Sequence, residues 1–136
     1  MAEIDQLKRA IQRSSELAKS GEERKALKLL DDSLAEAIRN NRSRWVRILS
    51  RHAATLSDSI GDLELARHYF EQSLAIDPDD PAGLYGLADV LFRQGETERA
   101  KQYAARCYLL SEQRGQERDR ALMAMIAERW PELRNG

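Results

Sequence analysis

The chain has 136 residues, of which 33% are charged, yet the signs balance to a formal net charge of −1. That balance argues against the one-signed surface of a membrane or nucleic-acid binder, and a lone cysteine, Cys107, excludes an internal disulfide and fits a reducing compartment. The opening MAEIDQLKRAIQ has no apolar stretch of the secretory kind, and no run approaches the roughly 18 apolar residues that span a bilayer, so the expectation is a soluble, cytoplasmic chain forming one domain.

Seven helices are predicted in chain order. The first runs from about Ala2 to Lys19 with Ile4, Leu7, Ile11 and Leu17 on one stripe, and Ser20 and Gly21 end it. The second, about Glu22 to Arg39, shows Leu27, Leu30, Leu34 and Ile38 at the spacings of three and four that mark an amphipathic helix. Asn40 and Asn41 break it, and Ser43 is placed to cap the third helix, which carries Trp45, Leu49, Ala53, Leu56 and Ile60 up to Gly61. The fourth, Asp62 to Ile76, presents Ala66, Tyr69, Phe70, Ser73 and Leu74. Asp77-Pro78-Asp79-Asp80-Pro81 is the clearest break, with Asp80 as N-cap and Pro81 at the first helical position, where its missing N–H costs nothing. The fifth helix holds Leu84, Leu87, Ala88 and Leu91 before Gly95; the sixth holds Ala100, Tyr103, Ala104, Cys107, Tyr108 and Ser111 before Gly115. The seventh, Gln116 to Arg129, uses Ala121, Leu122, Met125, Ile126 and Trp130 and is stopped by Pro131.

A repeat underlies these elements. Gly21, Gly61 and Gly95 are each followed five residues later by Ala26, Ala66 and Ala100, and seven further on by Ser33, Ser73 and Cys107; Ser14, Ala54 and Ala88 precede each glycine by seven. Small residues at fixed offsets let helix backbones approach closely at crossing points, and such pairs bury their faces only by stacking.

The segment Gly61, Ala66, Phe70, Ser73, Pro78 closely resembles the second half of a tetratricopeptide repeat (TPR). Leu84, Leu87, Ala88, Gly95, Ala100 and Cys107 resemble another copy, with Ala104 in place of the aromatic and Glu112 in place of the proline. Gly21, Ala26, Leu30 and Ser33 mark a weaker copy, which has Arg13 where an apolar residue is usual. The resemblance implies an all-α fold: a right-handed superhelical stack of antiparallel helix pairs, with repeats at about 7–40, 47–80 and 81–114 and a capping helix at about 116–130. That helix would offer Arg118, Asp119, Arg120 and Glu128 to water. The step from Gly21 to Gly61 is 40 residues against 34 from Gly61 to Gly95, so the second and third helices should be longer than the family norm.

Chemistry is sparse. His52 and His68 lie on predicted helices without Cys or His at ligand spacing, so no metal or cofactor is expected; His68 follows Glu64 by four, which fits a surface hydrogen bond. Cys107 sits at a small, packed position, the serines show no nucleophile elbow, and no phosphate-cradling glycine loop occurs, so no enzyme is expected. Arg42, Arg44, Arg47 and Arg51 form a basic patch at the start of the third helix; it reads either as a solvated face or as a dock for an acidic segment, and the missing interleaved aromatics argue against nucleic acid.

In the family, the first helix of each pair lines a concave groove. Registering the repeats places Lys8, Ile11, Ser15 and Lys19 there from the first helix and Ile48, Arg51, Thr55 and Asp58 from the third. The fifth contributes Ala82, Tyr85, Asp89, Phe92 and Arg93, with Tyr85 and Phe92 as aromatic anchors if the next helix leaves them open. Some members clamp chaperone carboxyl termini with lysine, asparagine and arginine; Ile11, Ser15, His52, Ala82 and Gly86 stand at those places, so the clamp is absent. The resemblance implies a protein–protein interaction module, an adaptor, escort or assembly subunit that takes a partner's peptide or helical segment. The rivals are a homo-oligomer through the long helices or the face around Trp45 and Trp130, and an RNA- or acidic-ligand module using the arginine patch.

Overall fold

The computed structural model describes residues 2–135. Among them are seven α-helices and no strand: α1 (Ala2–Lys19), α2 (Glu23–Arg39), α3 (Ser43–Ser59), α4 (Leu63–Ile76), α5 (Pro81–Arg93), α6 (Thr97–Arg114) and α7 (Glu117–Arg129), followed by a 3₁₀ turn at Pro131–Asn135 that the sequence reading did not anticipate. α2 and α3 have 17 residues each, against 14 in α4 and 13 in α5, while α1 and α6 are longer still at 18 each.

The helix ends follow from backbone chemistry. Gly21, Gly61 and Gly95 adopt φ of 82°, 83° and 86°, a left-handed conformation that costs glycine nothing and most other residues about 1 kcal/mol or more. Asn41 does the same work between α2 and α3 at φ 56°. At each of these turns the next N–H reaches back to a carbonyl five residues earlier: Glu22 to Leu17, Arg42 to Ala37, Asp62 to Ser57 and Glu96 to Leu91, at 2.8–2.9 Å. This is the Schellman closure of a helix C-terminus. Glu22, Arg42 and Glu96 are at once the last residue of one turn and the N-cap of the next helix. Ser43 therefore does not cap α3 as expected; it is the first helical residue, and Arg42 takes the cap position without a side-chain bond. Asp80 does hold the N-cap of α5 with Pro81 behind it, again without a side-chain capping bond.

The helices gather into two compact units, Met1–Ile76 and Asp77–Gly136. In the first, α1 packs on α2, α2 on α3 and α3 on α4. In the second, α5 packs on α6, α7 lies against both, and the 3₁₀ turn lies against α7. All nine small residues of the repeat are buried: Ser14, Ala26, Ser33, Ala54, Ala66 and Ser73 in the first unit, Ala88, Ala100 and Cys107 in the second. Leu7, Leu30 and Leu49 fill the first core, and Leu84, Leu87, Leu91 and Ile126 the second, each at 2% exposure or less.

Polar ties finish the packing. The Tyr69 hydroxyl donates to Asp31 Oδ1 at 2.7 Å, joining α4 to α2, and Ser73 Oγ donates to the Arg47 carbonyl at 3.2 Å, joining α4 to α3. Burial first, and the Asp31 carboxylate second, raise the Tyr69 phenol above its ordinary range. Asp119, expected to face water, is buried at 1% exposure and forms a capping box with Gln116 at the start of α7. No helix among the described residues is long and apolar enough to cross a membrane.

Candidate functional site

An open cleft of about 380 Å³ lies in the first unit between α1 and α3. Ser14, Ser15 and Ala18 form one wall, Arg51, His52, Thr55, Leu56 and Ser59 the other, and Leu30 of α2 reaches it from below. The walls exist because Ser14 is small enough to sit at a helix crossing, so α1 and α3 run close and side chains one turn away diverge around a trough. Ser14 Oγ donates to the Ile11 carbonyl at 2.7 Å and Thr55 Oγ1 to the Arg51 carbonyl at 3.0 Å. Both hydroxyl protons are thus held by their own helix, and the oxygens keep acceptor capacity.

Arg51 supplies the charge, and no acidic side chain lines the cleft among the described residues. Beside it, burial and then the Arg51 charge lower the His52 pKa, so its imidazole is neutral near pH 7 and offers one donor and one acceptor. The arrangement combines acceptors, a multi-dentate donor and an apolar floor. These are the groups that complement the N–H, C=O and side chains of a peptide segment.

Of the groove residues expected from the sequence, the cleft brings together Ser15, Arg51 and Thr55. Lys8 and Lys19 are exposed, and Ile11, Ile48 and Asp58 half-buried, outside the cleft lining. His52, Ser14, Ala18 and Ser59 were missed as groove residues; His52 carried a signal, since the register set it at a position other family members use for binding. Of the arginine patch, Arg42 is turned to α1, where Glu3 accepts from its Nε at 3.2 Å and its Nη2 at 3.0 Å. Arg44 is exposed, and Arg47 and Arg51 are half-buried.

The α5 face of the second unit is covered by the chain itself. Trp130 meets Phe92 edge-on with ring centroids 5.6 Å apart, and the Arg129 guanidinium lies 4.7 Å from the Phe92 centroid and 5.7 Å from the Trp130 centroid. Arg129 also pairs with Asp89, which Arg93 engages at 3.1 Å. Tyr85 is half-buried, and desolvation first raises its phenol pKa. Phe92 keeps 38% exposure. Trp130, at 5%, is a core residue, which corrects the expectation that it marks a face for self-association.

The Cys107 thiol is fully buried and donates to the Pro81 carbonyl at 3.1 Å, and burial pushes its pKa up to about 11. It is a packed thiol, as its repeat position implies.

A family model described as Tetratricopeptide repeat matches residues 61–126. No curated protein matches the sequence. Among solved structures the chain is similar to the C-terminal TPR-containing domain of an FK506-binding protein from Plasmodium falciparum, with a TM-score of 0.71 and 17% identity over 98% of this chain and 94% of that one. It is similar to SycD, a type III secretion translocator chaperone from Yersinia enterocolitica, with a TM-score of 0.67 and 18% identity over 92% and 94%. A third similarity is to pilF of Pseudomonas aeruginosa, with a TM-score of 0.60 and 21% identity over 96% of this chain and 62% of that one. At these identities the likeness concerns the fold.

Proposed function

From a chain that belongs, through residues 61–126, to the tetratricopeptide repeat family, we infer a protein–protein interaction module that takes an extended or helical segment of a partner protein. The observation that carries this reading is the α1–α3 cleft: it is open, it joins Arg51 and hydroxyl acceptors to an apolar floor, and no acid among the described residues lines it. A segment bearing an acidic side chain fits it best, with backbone N–H groups on Ser14 and Thr55 oxygens and the carboxylate toward Arg51. The partner role proposed is that of an adaptor, escort or assembly subunit in the cytoplasm, without catalysis of its own.

The test is capture from native lysate with the wild-type chain and with Thr55→Trp, which fills the cleft from an exposed position. Circular dichroism first establishes that the variant is folded. A protein held by the wild type and lost at least tenfold by Thr55→Trp is the expected result. A captured set that Thr55→Trp leaves unchanged would place the binding surface elsewhere.

A further inference from the structure

The second unit carries a different surface, which shares no residue with that cleft. The ion pair of Lys101 with Glu132, at 3.2 Å, holds the C-terminal 3₁₀ turn near α6. Between the two runs a groove of about 340 Å³, lined by Ala105, Tyr108, Leu109 and Leu133 with Glu112 and Arg134 as its charged members. Leu109 is 54% exposed, more than any other large apolar side chain among the described residues. An exposed leucine beside an apolar hollow is surface that association would remove from water.

The charges name the occupant. Three ion pairs of this unit join different elements: Arg106 with Asp79, Arg129 with Asp89, Lys101 with Glu132. Glu112 and Arg134, one acid and one base on the same groove, make no ion pair among the described residues. A partner of one sign would leave one of them unmatched. A two-fold axis matches both at once, because such an interface is self-complementary: if Glu112 meets Arg134 of the second copy, then Arg134 meets its Glu112. The same operation sets the projecting Leu109 of each copy into the hollow beside Tyr108 and Leu133 of the other.

We propose that the α6–3₁₀ groove is the seat of a second copy of this chain, paired through reciprocal Leu109 insertion and reciprocal Glu112–Arg134 bridges. A stable dimer buries about 1,200 Å² or more in total, and a groove of this size supplies only part of that. The dimer is therefore weak and forms in the micromolar range.

Sedimentation equilibrium from about 1 to 500 μM reads it directly. Wild type is expected to pass from monomer to dimer, with the dissociation constant raised about 30-fold or more by Leu109→Asp, a buried anchor turned into a charge. Glu112→Arg or Arg134→Glu alone should each weaken the dimer about tenfold, and the double reversal should restore it, a rescue that a merely structural role would not give. All three positions of change lie on the surface of the monomer, and circular dichroism verifies that each variant folds. A wild type that stays monomeric across the range overturns the proposal. So does a dimer that Leu109→Asp leaves intact, or single reversals that the double reversal does not rescue.

Discussion

Cys107 marks the point where α6 crosses the start of α5, and only a side chain of its size fits there, fully buried with its thiol on the Pro81 carbonyl. The burial has a pH signature. The folded thiol pKa, about 11, lies above the ordinary 9.0. Between those values the unfolded chain releases a proton that the folded chain keeps, so this residue's contribution is fully present below pH 9 and is lost as pH rises toward 11. The loss is on the order of 2 kcal/mol across the window. Urea unfolding at pH 8, 9 and 10 should show wild type losing stability faster than Cys107→Ala, which has nothing to ionise; parallel losses would contradict the assignment. The small residues and turn glycines were legible from spacing alone because sterics leave few substitutes where backbones touch or φ is positive. Tyr69 and Ser57 were not marked as polar core members, because a buried hydroxyl depends on which acceptor the fold brings near: Asp31 for the one, the Ala53 carbonyl for the other.

At the level of whole helices, α7 differs most from its sequence reading. Of its apolar pattern, Ile126 is fully buried, whereas Ala121 and Met125 are exposed. What periodicity could not convey is that α7 ends by wrapping Arg129 and Trp130 over Phe92 and Asp89, residues read from the repeat register as groove lining. The register specifies which face of α5 points out, but not how far the following helix extends across it. The consequence is energetic. Phe92→Ala removes an aromatic pair and a cation–π contact, so it should destabilise the chain by about 2 kcal/mol in urea or thermal unfolding, below the 3–5 kcal/mol of a fully buried aromatic because Phe92 keeps 38% exposure. A change within 0.5 kcal/mol would mean that Phe92 is a surface anchor after all. On α1 and α3 the register coincides with the cleft at Ser15, Arg51 and Thr55 but not at Lys8, Ile11, Lys19, Ile48 or Asp58, and the adjacent His52 completes the wall.

Across the molecule, the strongest break read from the sequence and the strongest division in the packing coincide. The contacts separate at Ile76 and Asp77, where Asp77-Pro78-Asp79-Asp80-Pro81 begins. Two prolines in five residues remove two backbone donors and keep the preceding residues out of helical conformation. The break is tied into the second unit by its own bonds, Arg106 to Asp79 and the Cys107 thiol to the Pro81 carbonyl. That unit has a core in Leu84, Leu87, Leu91 and Ile126, capped ends on α7, and the Trp130–Phe92 closure. A chain of about 60 residues with such a core sits near the lower limit of independent stability. Residues 77–136 expressed alone should therefore give a helical circular-dichroism spectrum at 10 °C and a cooperative melt well below that of the full chain, and Phe92→Ala should abolish that melt, because a loss of about 2 kcal/mol exceeds what so small a core can spare. A fragment with a coil spectrum would instead establish that the 136 residues fold as the single domain anticipated from their length, with the proline break a turn inside it rather than a boundary of stability.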